Sequence, residues 1–480
     1  MTPNIAVIVV VAYFALLWFI SYLTSRNAGK DTFFTADHGS HWFLVAFGMI
    51  GVALSGITFI SVPGDVGNTN FSYLQIVMGY TAGIVVIALV LLPMYYRLKL
   101  VSIYAYLRDR FGYRSHKTGA AFFLISQTFM AAFKLYLMTT VLQMAFFDEY
   151  GLPFELSVFI TLMLIWLYTY KAGIKTIVVT DTLQTAFLII AAISTIVIIY
   201  NGLDTNVGDL VTNMVNDSRS ETFIWNWSDD RNFFKMFLTG MFLVIITNGL
   251  DQSIMQKSLT VPNIKDAQKN MYFFGGSLVF VNMIFLILGL MLYLYADKFG
   301  IAVPAETDKF YPLLALDHLG VFTGIMFLIG IAAAAYSSAD SALAGLTTSF
   351  CVDVLEVGDG KKEASTKRRT LVHLGFSLMV FFVILVFKAL NNESIVNSFI
   401  RVAGYTYGPL LGLFVFGMFT KKDVNDKWVP YVAVASPIIS LLLYLYSEQL
   451  FGFKFGFELL LINGGLTVLG LWFSSMSKKN

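Results

Sequence analysis

The run Ala332-Ala333-Ala334-Ala335-Tyr336-Ser337-Ser338-Ala339-Asp340-Ser341 sets hydroxyls and a carboxylate inside a long apolar stretch. Polar groups are costly in such surroundings, so each marks a candidate site. Spacings of i, i+3 and i+4 place Ser337, Asp340 and Ser341 on one helical face. Oxygen ligands gathered on one face suit a hard cation such as sodium. The plainer reading is a tight helix contact through small residues, with serines bonding back to carbonyls. It accounts for the alanines and serines but not for Asp340, which favours the cation.

Other polar groups interrupt apolar runs in the same way. Asp181 lies in Val179-Thr180-Asp181-Thr182, where by itself it reads equally well as a helix N-cap. Residues 48–64 combine glycines and hydroxyls with a terminal Pro63-Gly64. This composition predicts an interrupted helix, since unwound backbone at membrane depth is tolerated only where it lines a cavity or site. A plain kinked helix is the simpler alternative. Thr247-Asn248-Gly249-Leu250-Asp251-Gln252, followed by Gln256-Lys257, predicts a second interruption. Gly408-Pro409 predicts a hinge or kink within residues 404–412. Lys134 and Arg401 are charges inside apolar runs. For Lys134 the readings are contact with an anionic solute, snorkelling to the interface, or pairing with an acid.

These residues need helices to position them. Of 480 residues, 57% are hydrophobic and 13% charged, whereas a soluble domain carries about a quarter charged residues. A bilayer core accommodates this much apolar surface. Apolar stretches of about 18 residues or more recur at 4–24, 42–63, 71–96, 119–146, 154–170, 177–201, 234–255, 271–296, 318–350, 370–390, 395–419, 428–447 and 454–475. The expected architecture is therefore an all-α membrane protein of about 13 transmembrane helices. The first stretch lacks a basic leader and an Ala-x-Ala exit, so it reads as a retained span. The stretch at 318–350 is too long for one straight crossing and predicts a tilted helix running past the membrane face.

Basic residues orient the chain. With the N-terminus outside, Arg26, Lys30, Arg97, Lys99, Arg108, Arg110, Arg114 and Lys117 fall inside. So do Lys171, Lys175, Lys257, Lys265, Lys269, the cluster from Lys361 to Arg369, Lys421, Lys422, Lys427, Lys478 and Lys479. The opposite loops hold Asp148, Glu149, Asp204, Asp209, Asp229 and Asp230. The expected location is the inner (plasma) membrane, with the C-terminus cytoplasmic. In the long outer loop 202–233, Trp225 and Trp227 read either as interfacial anchors or as part of a partly buried loop. His116 reads as solvated. Cys351 is the only cysteine, so no intramolecular disulfide forms, and the five histidines show no metal-ligand spacing. A net charge of +2 gives no basis for a nucleic-acid partner.

The two interruptions lie five spans apart, which predicts repeats of spans 2–6 and 7–11, inverted because each holds an odd number of spans. Five blocks taken together, Ser55-Gly56-Ile57-Thr58-Phe59, Asp181, Leu250-Asp251-Gln252 with Gln256-Lys257, Ala334 to Ser338, and Tyr407-Gly408-Pro409-Leu410-Leu411-Gly412, resemble the solute:sodium symporter family. The resemblance covers nearly the whole chain. It implies a LeuT-type core of two inverted five-helix repeats in one transporter domain. Residues 1–30 would form a peripheral first helix, 42–201 and 234–420 the repeats, and 428–480 two further helices and a tail.

The resemblance also implies site residues. One sodium would lie among the carbonyls of Gly51, Leu54 and Ala334 and the hydroxyls of Ser337 and Ser338. A second sodium, carried by some members, would use Asp181 with Ser337, Asp340 and Ser341. Asp340 stands where some members have serine, which either strengthens that second site or lets a proton replace its ion. Sugar-transporting members use an Asn and a Lys at positions that match Asp251 and Leu278 here, so their constellation is not reproduced. Sialic-acid members resemble the chain at Ser55 and Thr58, but their carboxylate-binding Arg falls near Met130. The substrate cavity is expected at Ser55, Thr58, Gln75, Asn248, Asp251 and Tyr405, a neutral to acidic set that leans toward a sugar or polyol over an organic acid.

The expected function is sodium-coupled symport of a small polar solute by alternating access, with sodium as coupling ion and no cofactor. The closest rival is a proton-coupled symporter of the same fold, which makes Asp181 or Asp340 essential. A membrane enzyme would need catalytic residues clustered at one face, and the sequence offers no nucleotide loop, metal cluster or nucleophile–base pair. A transporter-like sensor would normally append a signalling domain, and only four residues follow Met476.

Overall fold

The computed structural model describes residues 2–25, 36, 39–169, 174–357, 365–390, 395–451 and 458–476. Arg26, Lys30, Lys171, Lys361, Lys362, Lys478, Lys479 and the Arg401 side chain lie outside what is described. Every regular element among the described residues is helical. The helices that match the thirteen apolar stretches are numbered here in chain order. They begin with α1 (Pro3–Ser25), the pair Trp42–Ala53 and Gly56–Gly64 as the two arms of α2, α3 (Val66–Leu98) and α4 (Tyr113–Phe147). Next come α5 (Phe154–Thr169), α6 (Ile174–Leu203), the arms Phe233–Gly249 and Gln252–Ser258 of α7, and α8 (Ile264–Phe299). The last five are α9 (Gly320–Val354), α10 (Thr366–Leu390), α11 (Ile395–Phe419), α12 (Val429–Phe451) and α13 (Glu458–Met476). Among the described residues ten helices are long and apolar enough to cross a membrane, or twelve with each bent pair as one span, and α5 adds a shorter apolar helix. The chain is a multi-pass membrane protein.

Both expected interruptions are present. The arms of α2 meet at 54° and those of α7 at 73°. The break in α2 falls at Leu54 (φ −82°, ψ 69°) and Ser55 (φ −64°, ψ 173°), neither of which holds helical backbone angles. A broken helix leaves carbonyls without their i+4 donors. At α7 two tyrosines supply donors: Tyr95 Oη bonds the Gly249 carbonyl at 2.8 Å and Tyr104 Oη the Leu250 carbonyl at 2.7 Å. α9 is one long helix, as its length required, and α11 continues as helix through Pro409.

The first arm of α2 packs against α6, α8 and α9. Its contact with α6 is close enough that a Cβ on Gly51 would overlap Thr185 Oγ1, and the Gly51 amide donates to that oxygen at 3.0 Å. This approach, with Gly48 beside the Asp181 Cβ, brings Asp181 up to the interruption.

One reading of a peripheral residue changes. His116 is not solvated: it is buried, and its Nε2 lies 2.8 Å from Asp353 Oδ1. Ser102 and Ser349 hydroxyls also donate to Asp353, at 2.7 and 2.6 Å. Basic flanking sequence suggested solvent, but the fold returns the end of α9 onto the start of α4. Trp225 and Trp227 are both exposed, Trp225 against Phe233 and Trp227 against Phe234.

Candidate substrate and ion site

A cavity of about 980 Å³ runs from the interruption of α2 to the segment Ala305–Lys309. Val52, Ala53, Leu54, Ser55 and Ser338 line its inner end. Along α4, Gln127, Met130, Lys134, Leu137 and Val141 line one wall, at the i, i+3, i+7, i+10 and i+14 spacing of a single helical face. The arms of α7 contribute Asn248, Asp251 and Ser253. Of the expected substrate residues, Ser55, Thr58, Asn248 and Asp251 therefore share the cavity.

Gln75 and Tyr405 do not line it. Gln75 is fully buried and braces the neighbouring loop: Nε2 donates to the Ser72 and Arg231 carbonyls (3.3 and 2.9 Å), and Oε1 accepts the Ile224 amide (3.2 Å). Both its amide nitrogen and its carbonyl oxygen are thus engaged by protein partners. Tyr405 is replaced by Tyr407, two residues along α11, a step of about 200° around a helix.

Asp251 occupies the break in α7, where its φ of −107° and ψ of 120° let it cap the second arm. Oδ1 accepts the Ser253 amide at 2.8 Å and also the Ser253 hydroxyl, while Oδ2 accepts Tyr407 Oη at 3.0 Å. Gln127 Nε2 donates to Ser253 Oγ at 2.9 Å. Gln127, Ser253 and Tyr407 escaped the sequence reading, although the stripe from Gln127 to Lys134 was visible there as one face of an apolar helix. Lys134 reaches the cavity with no hydrogen bond or ion pair among the described residues. At the cavity mouth, outside the spanning helices, burial raises the Asp308 carboxyl above its usual range, and Glu306 adds to the shift.

The five residues expected to hold one sodium converge on α2 and α9. Ser338 Oγ donates to the Val52 carbonyl at 3.0 Å. Among the described residues, neither the Gly51 nor the Leu54 carbonyl accepts a hydrogen bond from another element. Ala334 and Ser337 are fully buried behind Ser338. Ser337 Oγ donates to Asp181 Oδ1 at 2.6 Å. Asp181, Ser337, Asp340 and Ser341 also come together, as expected for a second cation site, but around Lys257, whose Nζ lies 2.5 Å from Asp181 Oδ2.

The sequence matches the sodium:solute symporter family over residues 33–427. It is 26% identical to the sodium/sialic acid symporter NanT of Aliivibrio fischeri, over 87% of this chain and 83% of that protein. It is 24% identical to human sodium-coupled monocarboxylate transporter 2, over 84% of this chain and 67% of the relative. Among solved structures, a substrate-bound, outward-open Na+-coupled sialic acid symporter aligns with a TM-score of 0.81 at 20% identity, covering 99% of this chain and 98% of the other. The shared fold is the LeuT-type core that the family resemblance implies.

Proposed function

Because the chain belongs to the sodium:solute symporter family, and is thus a sodium-coupled transporter and not an enzyme, we propose that it imports a small organic acid whose carboxylate pairs with the Lys134 ammonium. The observation that carries this reading is Lys134 itself. It is a cation lining the central cavity without an ion-pair partner among the described residues. The nearby carboxylate of Asp251 is already held by three donors. A solute carboxylate supplies the direct hydrogen-bonded partner that Lys134 lacks among the described residues, and such pairing is strong where water is excluded.

The expectation of a sugar or polyol gives way. It rested on a cavity judged neutral to acidic, with Lys134 left out of it. Met130, near which the Arg of sialic-acid members aligns, lies four residues before Lys134 on the same cavity wall. The cation is displaced by about 6 Å along the helix. Leu278, which matches the Lys of sugar carriers, lines the cavity without a charge. Sialic acid and monocarboxylate, for which the two relatives are named, have a carboxyl group in common.

In this reading sodium sits among the Gly51, Leu54 and Ala334 carbonyls and the Ser337 and Ser338 hydroxyls. It ties the interruption of α2 to α9 and favours the conformation that binds solute, because the ion binds that conformation more tightly. Ser55 and Thr58 then orient the polar groups of the solute beside it. The distribution of basic residues supports an N-terminus outside and a C-terminus in the cytoplasm of a cell whose plasma membrane holds the carrier. The face bearing Asp65 and Asp308 is then external.

Thermal stability of the purified protein tests this reading. Sodium, compared with potassium at equal ionic strength, is expected to stabilise it, and sialate or a short monocarboxylate to deepen the effect. A deepening by hexose or polyol with none by acids contradicts the assignment.

A further inference from the structure

A side chain of the protein fills the place expected for a second sodium ion. Lys257, on the second arm of α7, is 1% exposed. Its Nζ donates to Asp181 Oδ2 on α6 and to Ser341 Oγ on α9, each at 2.5 Å. The other Asp181 oxygen accepts Ser337 Oγ, and the single Ser341 hydroxyl hydrogen faces the Ser337 carbonyl at 2.7 Å, with Asp340 Oδ1 as the alternative acceptor at 3.1 Å. Asp181 and Ser341, two of the four residues that a second ion would use, thus bind an ammonium directly, and Ser337 holds Asp181 from its other oxygen.

We propose that Lys257 is a tethered cation that permanently occupies the second cation position, so that the carrier moves one sodium ion with each solute molecule. The inference rests on sodium coupling and on the sodium site at Ser338. A lysine ammonium and a sodium ion carry the same charge and both seek oxygen, the first by donating three hydrogen bonds and the second by coordination. Two such cations on one carboxylate repel strongly where little water screens them. A buried carboxylate that loses its cationic partner keeps an uncompensated charge even with the Ser337 hydrogen bond in place. Removing the ammonium therefore creates a vacancy that a sodium ion from solution can fill. One sodium moving with one monovalent carboxylate also carries no net charge.

The test is the ratio of radioactive sodium flux to solute flux in proteoliposomes, with sodium activation of solute binding alongside. The native protein is expected to move one sodium per solute, with a Hill coefficient near one. Lys257→Ala is expected to move two, with a Hill coefficient approaching two, and Lys257→Arg to keep one. Two sodium ions per solute in the native protein overturn the inference while leaving sodium coupling intact, whether or not any variant folds. A ratio still at one in folded Lys257→Ala also overturns it. Solute flux with no sodium flux overturns both this inference and the proposed function.

Discussion

Ser338 Oγ donates to the Val52 carbonyl across 3.0 Å, so α9 closes directly on the interruption of α2. The same hydroxyl lines the cavity together with Leu54 and Ser55. The proposed ion site and the proposed solute site thus share one stretch of unwound backbone, and in this account that proximity couples them.

In the proposed ion site, replacing Ser338 by alanine removes an oxygen ligand. A hydrogen bond or ligand contact to a charged group contributes about 1.5–3 kcal/mol, which corresponds to about a 10- to 100-fold rise in the sodium concentration for half-maximal solute binding. A sodium titration of binding checks this. An unchanged midpoint in folded protein removes Ser338 from the site.

Lys134→Met is expected to weaken acid binding by a similar factor of about 10 to 100 at saturating sodium. Sodium-dependent stabilisation without solute should persist, because Lys134 is not among the proposed ion ligands. Isothermal titration with the acid identified by the stability panel separates the two effects. Equal affinity in native and variant protein excludes Lys134 as the carboxylate partner.

Gln75→Ala distinguishes a brace from a ligand. It deletes contacts to Ser72, Arg231 and Ile224. The melting temperature should fall, reflecting about 1–3 kcal/mol for buried groups left unpaired. Solute affinity at saturating sodium should stay within about twofold, a shift of less than 0.5 kcal/mol. A large affinity loss with native stability would return Gln75 to the site.

Much of this was legible in the sequence, and the misses share a cause. The spans stood out because a bilayer demands long apolar runs, and the breaks at Leu54 and Leu250 because glycine and polar residues interrupt them. Ser55, Thr58, Asn248, Asp251 and Ser338 reach the cavity because each is a polar group at or near such a break or on the face opposite. Tyr405 and Tyr407 differ only in helical phase, which an all-apolar neighbourhood does not fix. Gln75 is a polar residue that the sequence assigns to the cavity, but its partners lie in a loop about 150 residues away. Lys257 meets Asp181 across 76 residues of chain, a pairing that exists only once α6, α7 and α9 assemble.

The contact between Gly51 and Thr185 tests how α6 and α2 are held together. Gly51→Ala places a methyl against Thr185 Oγ1 and should cost about 1–3 kcal/mol through overpacking. Adding Thr185→Ala removes the obstructing hydroxyl, so the double variant should recover part of the loss. Thermal unfolding of the four proteins in the cycle measures the coupling, and strictly additive losses would contradict the close approach.

The most direct measurement is uptake of a radiolabelled organic acid, sialate first and then a short monocarboxylate, into proteoliposomes under an inward sodium gradient. Concentrative uptake that vanishes when potassium replaces sodium, and that fails in Lys134→Met, is the expected result. Uptake that follows an imposed proton gradient without sodium, or sodium-driven accumulation of neutral sugars while acids are ignored, would contradict the account.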